Sequence, residues 1–157
     1  MASNVTFRFL AEPGDVNFGG KAHGGTVMKW IDQAAYACAV GWSGRYCATV
    51  YAGGIRFFHP VMIGDLVEVK ARIIDTGTTS MHMAVDVWAR DPKGDEPRKT
   101  THCVVVFVAV NDDGKPVPVP SWEPDTEEEH AAQRYARRLV ELRGAIEEEM
   151  RPFHFDS

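Results

Sequence analysis

The sequence predicts an α+β layer, one apolar helix packed on an antiparallel sheet, and three observations carry that prediction. Residues 24–40 hold Val27, Ile31, Ala34 and Cys38 at helical spacing, with Met28, Trp30, Ala35 and Ala37 apolar off that stripe. Beyond Lys29 and Gln33 little of this helix is polar, so the rest of the chain is expected to wrap it. Four β-type segments follow, separated by short turns, which favours an antiparallel meander. One sheet covers only one side of such a helix, so some apolar surface is expected to meet a second subunit.

In chain order, Thr6–Leu10 is a short β-type run closed by the Pro13-Gly14 turn. A glycine-rich loop leads into the helix, and Gly41 and Gly44 supply its stop. Cys47–Phe58 reads as a strand in which Gly53 and Gly54 indicate a bulge or a close approach. Pro60 ends it, and Gly64-Asp65 marks the next turn. Over Leu66–Ile74, Val67, Val69, Ala71 and Ile73 face one way while Glu68, Lys70 and Arg72 face the other. Met81, Met83, Val85 and Val87 continue the alternation, with His82, Asp86 and Trp88 opposite. Thr100–Val110 is almost continuously apolar, as expected of a strand covered on both faces. Thr126 and Glu129 then form a capping-box pair that opens a last helix, with Tyr135, Leu139, Leu142 and Ile146 at helical spacing. The expected organisation is one domain over 1–120 and a helical extension over 121–157 packed on it or flanking it.

Composition narrows the function classes. A net charge of −5 argues against nucleic acid as the main partner but not against a small anionic ligand held by local cations. The start, MASNVTFRFLAE, lacks an apolar core flanked by positive charge, and no apolar run approaches the ~20 residues of a membrane span. Cys38, Cys47 and Cys103 are odd in number and lack metal-ligand spacing, which points to reduced, buried thiols in a cytoplasmic protein. The six histidines show no HxxxH or HxH spacing, and no glycine loop ends in Gly-Lys-Ser/Thr, so neither a metal nor a phosphate-loop site is expected.

Chemistry concentrates in Asn17–Ala35. Gly24 and Gly25 stand where the helix begins, so unshielded N–H groups and the positive end of the helix dipole can face an anion or a polarised carbonyl. Asp32 lies two turns on, among Met28, Ile31, Ala34 and Ala35. An ion pair with Lys29 is the plain alternative, in the poorer orientation for a helix pair. Asn17 suits a turn equally well, the two glycines suit close packing, and His23 suits a loop.

Asn17, Gly20, Gly24-Gly25, Met28 and Asp32 together resemble the signature of the acyl-CoA thioesterase branch of the hotdog fold, in which a curved antiparallel sheet wraps a central helix. FFHPVMIGD (Phe57–Asp65), GTTS (Gly77–Ser80) and the strand ending in VWAR are similar to its later segments, so the resemblance spans about Val5 to Val110. His23 departs from it, standing where bacterial relatives often carry an aromatic or aliphatic residue.

The resemblance implies hydrolysis of an acyl-CoA by a dimer or dimer-based hexamer, with CoA as part of the substrate and no cofactor. Asp32 would act as general base on water or attack the carbonyl directly, and partial burial would improve it as a base. The Gly24 or Gly25 amide would hold the carbonyl oxygen, and Asn17 would arrive from the neighbouring subunit. His23, Arg56, Arg90 and the polar turn residues Thr78, Thr79 and Ser80 are substrate-binding candidates, and the helix arginines 134, 137, 138 and 143 are further candidates for the CoA phosphates. Thr49 could face the site, although a strand Thr is usually structural. The acyl pocket is expected to be shaped around Trp30, Tyr51, Phe57 and Trp88. A hydratase using a His/Asp pair and a non-catalytic acyl-CoA sensor are the rival readings.

Overall fold

The computed structural model describes residues 2–94 and 96–154. Five antiparallel strands, β1 (Asn4–Leu10), β2 (Cys47–Phe57), β3 (Leu66–Thr76), β4 (Ser80–Arg90) and β5 (Arg98–Ala109), form one sheet in the order β1-β3-β4-β5-β2. The central helix α1 (Gly24–Ser43) touches all five strands, and α2 (Glu127–Met150) lies on the sheet's other face.

Strict alternation dictates the core. Val67, Val69, Ala71 and Ile73 of β3, and Met81, Met83, Val85 and Val87 of β4, all fall within 2% exposure and pack in one cluster with Val27, Ile31, Ala34 and Cys38 of α1. β5 is covered twice, as its composition requires. Cys103, Val105 and Phe107 join the α1 core, while Val104 joins Ile74 and Ala84 beneath α2. Alternation puts Ile73 inward and Ile74 outward, and the register shift between Ile73 and Asp75 turns Asp75 to the outer face as well, toward α2. α1 runs three residues beyond the expected Val40 and stops where Gly44 takes φ 69°.

The meander expected for all four later strands holds only for β3, β4 and β5. β2 pairs with β5 at the far edge, and the chain crosses the end of the sheet before β3 begins. That link, residues 58–65, can reach about 26 Å when extended, ample for the roughly 14 Å across three strand spacings. Hydrogen bonds fix its path: the Ala22 N–H donates to Val61 O (2.8 Å) and the Ile63 N–H to Gly20 O (3.2 Å). At its end the buried Asp65 carboxylate accepts from the Arg98 guanidinium and, through Oδ2, from the Met62 N–H (2.9 Å). The Gly64-Asp65 turn thus locks the crossover to β5.

α2 opens with both capping-box bonds, Glu129 N–H to Thr126 Oγ1 (3.1 Å) and Thr126 N–H to Glu129 Oε1 (3.0 Å). Its sheet-facing stripe differs from the expected one. Ala132 and Ala136 are buried with Leu139 packed beside them, whereas Tyr135, Leu142 and Ile146 stay 37%, 43% and 53% exposed. Alanines bring the helix close to the sheet, which leaves the larger side chains at its flanks. Polar anchors hold it there: the Tyr135 hydroxyl lies 2.8 Å from His102 Nε2, His102 Nδ1 lies 2.7 Å from Asp86 Oδ1, and Arg137 and Gln133 reach Asp75. Burial alone would raise the Asp86 carboxyl, but hydrogen bonds from His102 and Lys99 outweigh it and hold the group below its usual range. Among the described residues no helix is long and apolar enough to cross a membrane.

Candidate active site

Asp32 sits on the outward side of α1, exposed within one chain, so the partial burial expected of it is not met inside the protomer. It forms no ion pair with Lys29; its Oδ1 accepts a hydrogen bond from Thr49 Oγ1 on β2 at 2.8 Å. That bond aims the carboxylate at a cavity of about 450 Å³ between α1 and the β2–β5 end of the sheet. Gly25, Met28, Ile31 and Asp32 line it from α1, with Thr49, Ala52 and Ile55 from β2 and Cys103 and Val105 from β5. Apart from Lys29, Asp32 and Thr49 this lining is apolar.

Two register shifts in β2 make the arrangement possible. They fall between Thr49 and Tyr51 and between Gly53 and Arg56, so Thr49, Ala52 and Ile55 share the inner face although they stand three apart rather than two. The bulge read from Gly53-Gly54 is therefore present, with Gly54 at φ 58°. Tyr51 goes to the outer face and folds over Gly53, where a Cβ would collide with its hydroxyl. Alternation from Cys47 already places Thr49 inward; Ala52 and Ile55 are the residues it misses, because the extra residue between Thr49 and Tyr51 leaves no mark on composition.

At the mouth of the cavity, Val27 N–H makes the first α1 bond, to His23 O (3.0 Å). Among the described residues the N–H groups of Gly24, Gly25 and Thr26 have no acceptor, as expected of a helix start without a side-chain cap. A Cβ on Gly25 would meet nothing within 4 Å, so nothing within the chain demands glycine there. Gly24 faces Phe57, 3.7 Å from where its Cβ would be.

The remaining candidates lie elsewhere. Asn17 organises the glycine loop: its Oδ1 accepts from the Gly19 N–H (2.9 Å) and the Lys21 N–H (3.3 Å), and it does not line the Asp32 cavity. His23 is the exposed N-cap residue, also outside the cavity, its own N–H donating to Asp15 O (3.0 Å). Arg56 pairs with His102 on the outer face, its guanidinium 5.4 Å from the Phe58 ring. Thr78 and Thr79 accept from the Val119 and Ala109 N–H groups (2.9 and 3.1 Å), and Ser80 begins β4. Arg90 ends that strand and donates to Gly94 O (3.1 Å), roughly 30 Å from Ser80 by strand rise. One chain therefore does not gather the polar turn and Arg90 around a single ligand. The aromatic residues expected to shape the pocket do not line it either. Trp30 packs edge-on against Phe9 (4.9 Å) in the core, and Tyr51 and Trp88 are on the outer face. Among the described residues no three His, Cys, Asp or Glu side chains cluster as metal ligands would.

Comparison with known proteins bears on this geometry. The Thioesterase superfamily profile matches residues 19–95. The acyl-CoA thioester hydrolase YciA of Salmonella typhimurium is 36% identical over 120 residues, 74% of this chain and 90% of that protein. A hexameric acyl-CoA thioesterase superposes with a TM-score of 0.87 at 32% identity, over 91% of this chain and 92% of its own. An acyl-CoA hydrolase of Staphylococcus aureus, solved with butyryl coenzyme A, gives 0.87 at 28% identity over 96% and 92% of the two chains. That hydrolase has also been solved as alanine variants of an Asn, an Asp and a Thr, which stand 15 and 17 positions apart. Asn17, Asp32 and Thr49 are 15 and 17 positions apart in this chain.

Proposed function

This chain belongs to the thioesterase superfamily, and from that membership we propose that it hydrolyses an acyl-CoA to a carboxylic acid and CoA. The observation that carries this reading is the Thr49–Asp32 hydrogen bond at the mouth of an apolar cavity edged by the open start of α1. The acyl tail enters the cavity. The thioester oxygen takes the Gly25 N–H, whose helix-end dipole stabilises the charge that develops when the carbonyl is attacked. Asp32, oriented by Thr49, removes a proton from water as its oxygen bonds the carbonyl carbon. The tetrahedral adduct collapses with loss of the C–S bond, and the proton on Asp32 passes to the leaving thiolate. The account uses the chain's own groups and the substrate, with no cofactor.

Asn17 completes the site from a second copy. It stands outside the Asp32 cavity of its own chain, and β2 is a sheet edge. Beside that edge Tyr46 and Val50 are 66% and 56% exposed, and Met28 of α1 is 43% exposed, which is surface suited to a homodimer and to a hexamer built from dimers. The three buried, unpaired thiols suit a reducing, cytoplasmic setting. A hydratase would need a histidine facing Asp32, and His23 does not line the cavity.

The test is release of free CoA thiol from a series of acyl-CoAs, with Gly25→Ala as the diagnostic variant. Alanine should stabilise α1 by up to about 1 kcal/mol, because the site is helical and has room. It should nonetheless lower kcat/KM at least about 10-fold by crowding the carbonyl's approach. Wild-type protein releasing no thiol from any acyl-CoA would sink the hydrolase reading; unchanged kcat/KM in the variant would remove Gly25 from the site.

A further inference from the structure

We infer that Cys103, beside Val105, forms the end stop that sets which acyl chain lengths the enzyme accepts; this rests on the hydrolase reading above. Asp32 and Gly25 edge the mouth of the cavity, so a thioester carbonyl held there points its acyl tail toward the sheet. The sheet side is made by Ala52, Ile55, Cys103 and Val105. Val105 and Cys103 are 2% and 1% exposed and form the closed end, while Ala52, paired with Val105 across the β2–β5 register, is exposed and lies toward the rim. Of the two closed-end residues, Cys103 has the smaller side chain, so the depth left open is the space it does not fill.

The chemistry of Cys103 fits a wall rather than a reactant. Its thiol lies 3.7 Å from Gly53 O, and burial pushes it up to about 11, so it stays an uncharged, apolar SH group beside the tail. Cys103 is also held from behind by the β2 bulge through Gly53, which leaves the wall little freedom to retreat when a longer chain enters.

Discrimination of one methylene in such a pocket is worth about 10-fold or more, and this sets the expected effects. Cys103→Val should shift the kcat/KM optimum to shorter acyl chains, changing the ratio of long- to short-chain kcat/KM by at least about 10-fold. Cys103→Ala should move that ratio the other way. The ratio is measured within each variant on straight-chain acyl-CoAs, so any loss of folded protein cancels. Unchanged ratios in both variants, with wild-type thiol release intact, would overturn the end stop and leave the hydrolase reading standing. Wild-type protein without thiol release would overturn both.

Discussion

Asp32→Asn is expected to lower the turnover of acyl-CoA at least about 100-fold, the scale of losing a general base. The substituted amide keeps the shape of the carboxylate and can still meet Thr49 Oγ1, now 2.8 Å from Asp32 Oδ1, but it cannot take a proton from water. Because Asp32 is exposed on α1 and carries no ion pair among the described residues, the variant should fold as the wild type does. Its thermal midpoint should stay within a degree or two, since exposed substitutions away from caps and networks usually cost under ~0.5 kcal/mol. Measured by free-thiol release, unchanged turnover would exclude Asp32 as the base. A lost midpoint would instead assign it a structural duty.

The largest stability effect is expected from Asp65→Ala. This carboxylate is 6% exposed and joins the crossover between β2 and β3 to Arg98 at the start of β5, while also accepting the Met62 N–H. Removing it leaves the Met62 N–H without its acceptor and a guanidinium without its counter-charge. The Arg98 side chain keeps 32% exposure and can recover some hydration, so the full cost of breaking a buried pair is not reached. Roughly 2–3 kcal/mol remains, which for a chain of this size lowers the thermal midpoint by about 5–10 °C. A shift under 2 °C would mean that the crossover is held by its backbone bonds alone.

How far the molecule could be read from its residues follows from where the periodicity is clean. β3 alternates cleanly from Val67 to Ile73 and β4 from Met81 to Val87, and these inward rows were legible residue by residue. β5 was legible as doubly covered because an unbroken apolar run has no face to give to water. The place of β2 was not legible, since an eight-residue link serves a long turn or a crossing equally well. Ala52 and Ile55 were obscured for a related reason: two bulges shift the phase of β2 beyond Thr49, and only the one at Gly53-Gly54 shows in local composition. The same rephasing put Ala52 on the cavity wall and sent Tyr51 to the other face, so the pocket is shaped by small residues where aromatic ones were expected. In α2 the apolar spacing was correct for a helix but named the wrong stripe, because alanines do the packing. The relation of Asn17 to Asp32 cannot be read within one chain at all if a second copy supplies one of them.

That last point is the most direct test. Asn17→Ala and Asp32→Asn chains are produced separately, and each is expected to be nearly inactive. After dissociation and joint reassembly, half of the dimers pair one chain of each kind, and each of these carries one site with both native residues. Thiol release should then return to roughly a quarter of the wild-type rate per chain. A mixture no more active than its two components would contradict a site shared between subunits.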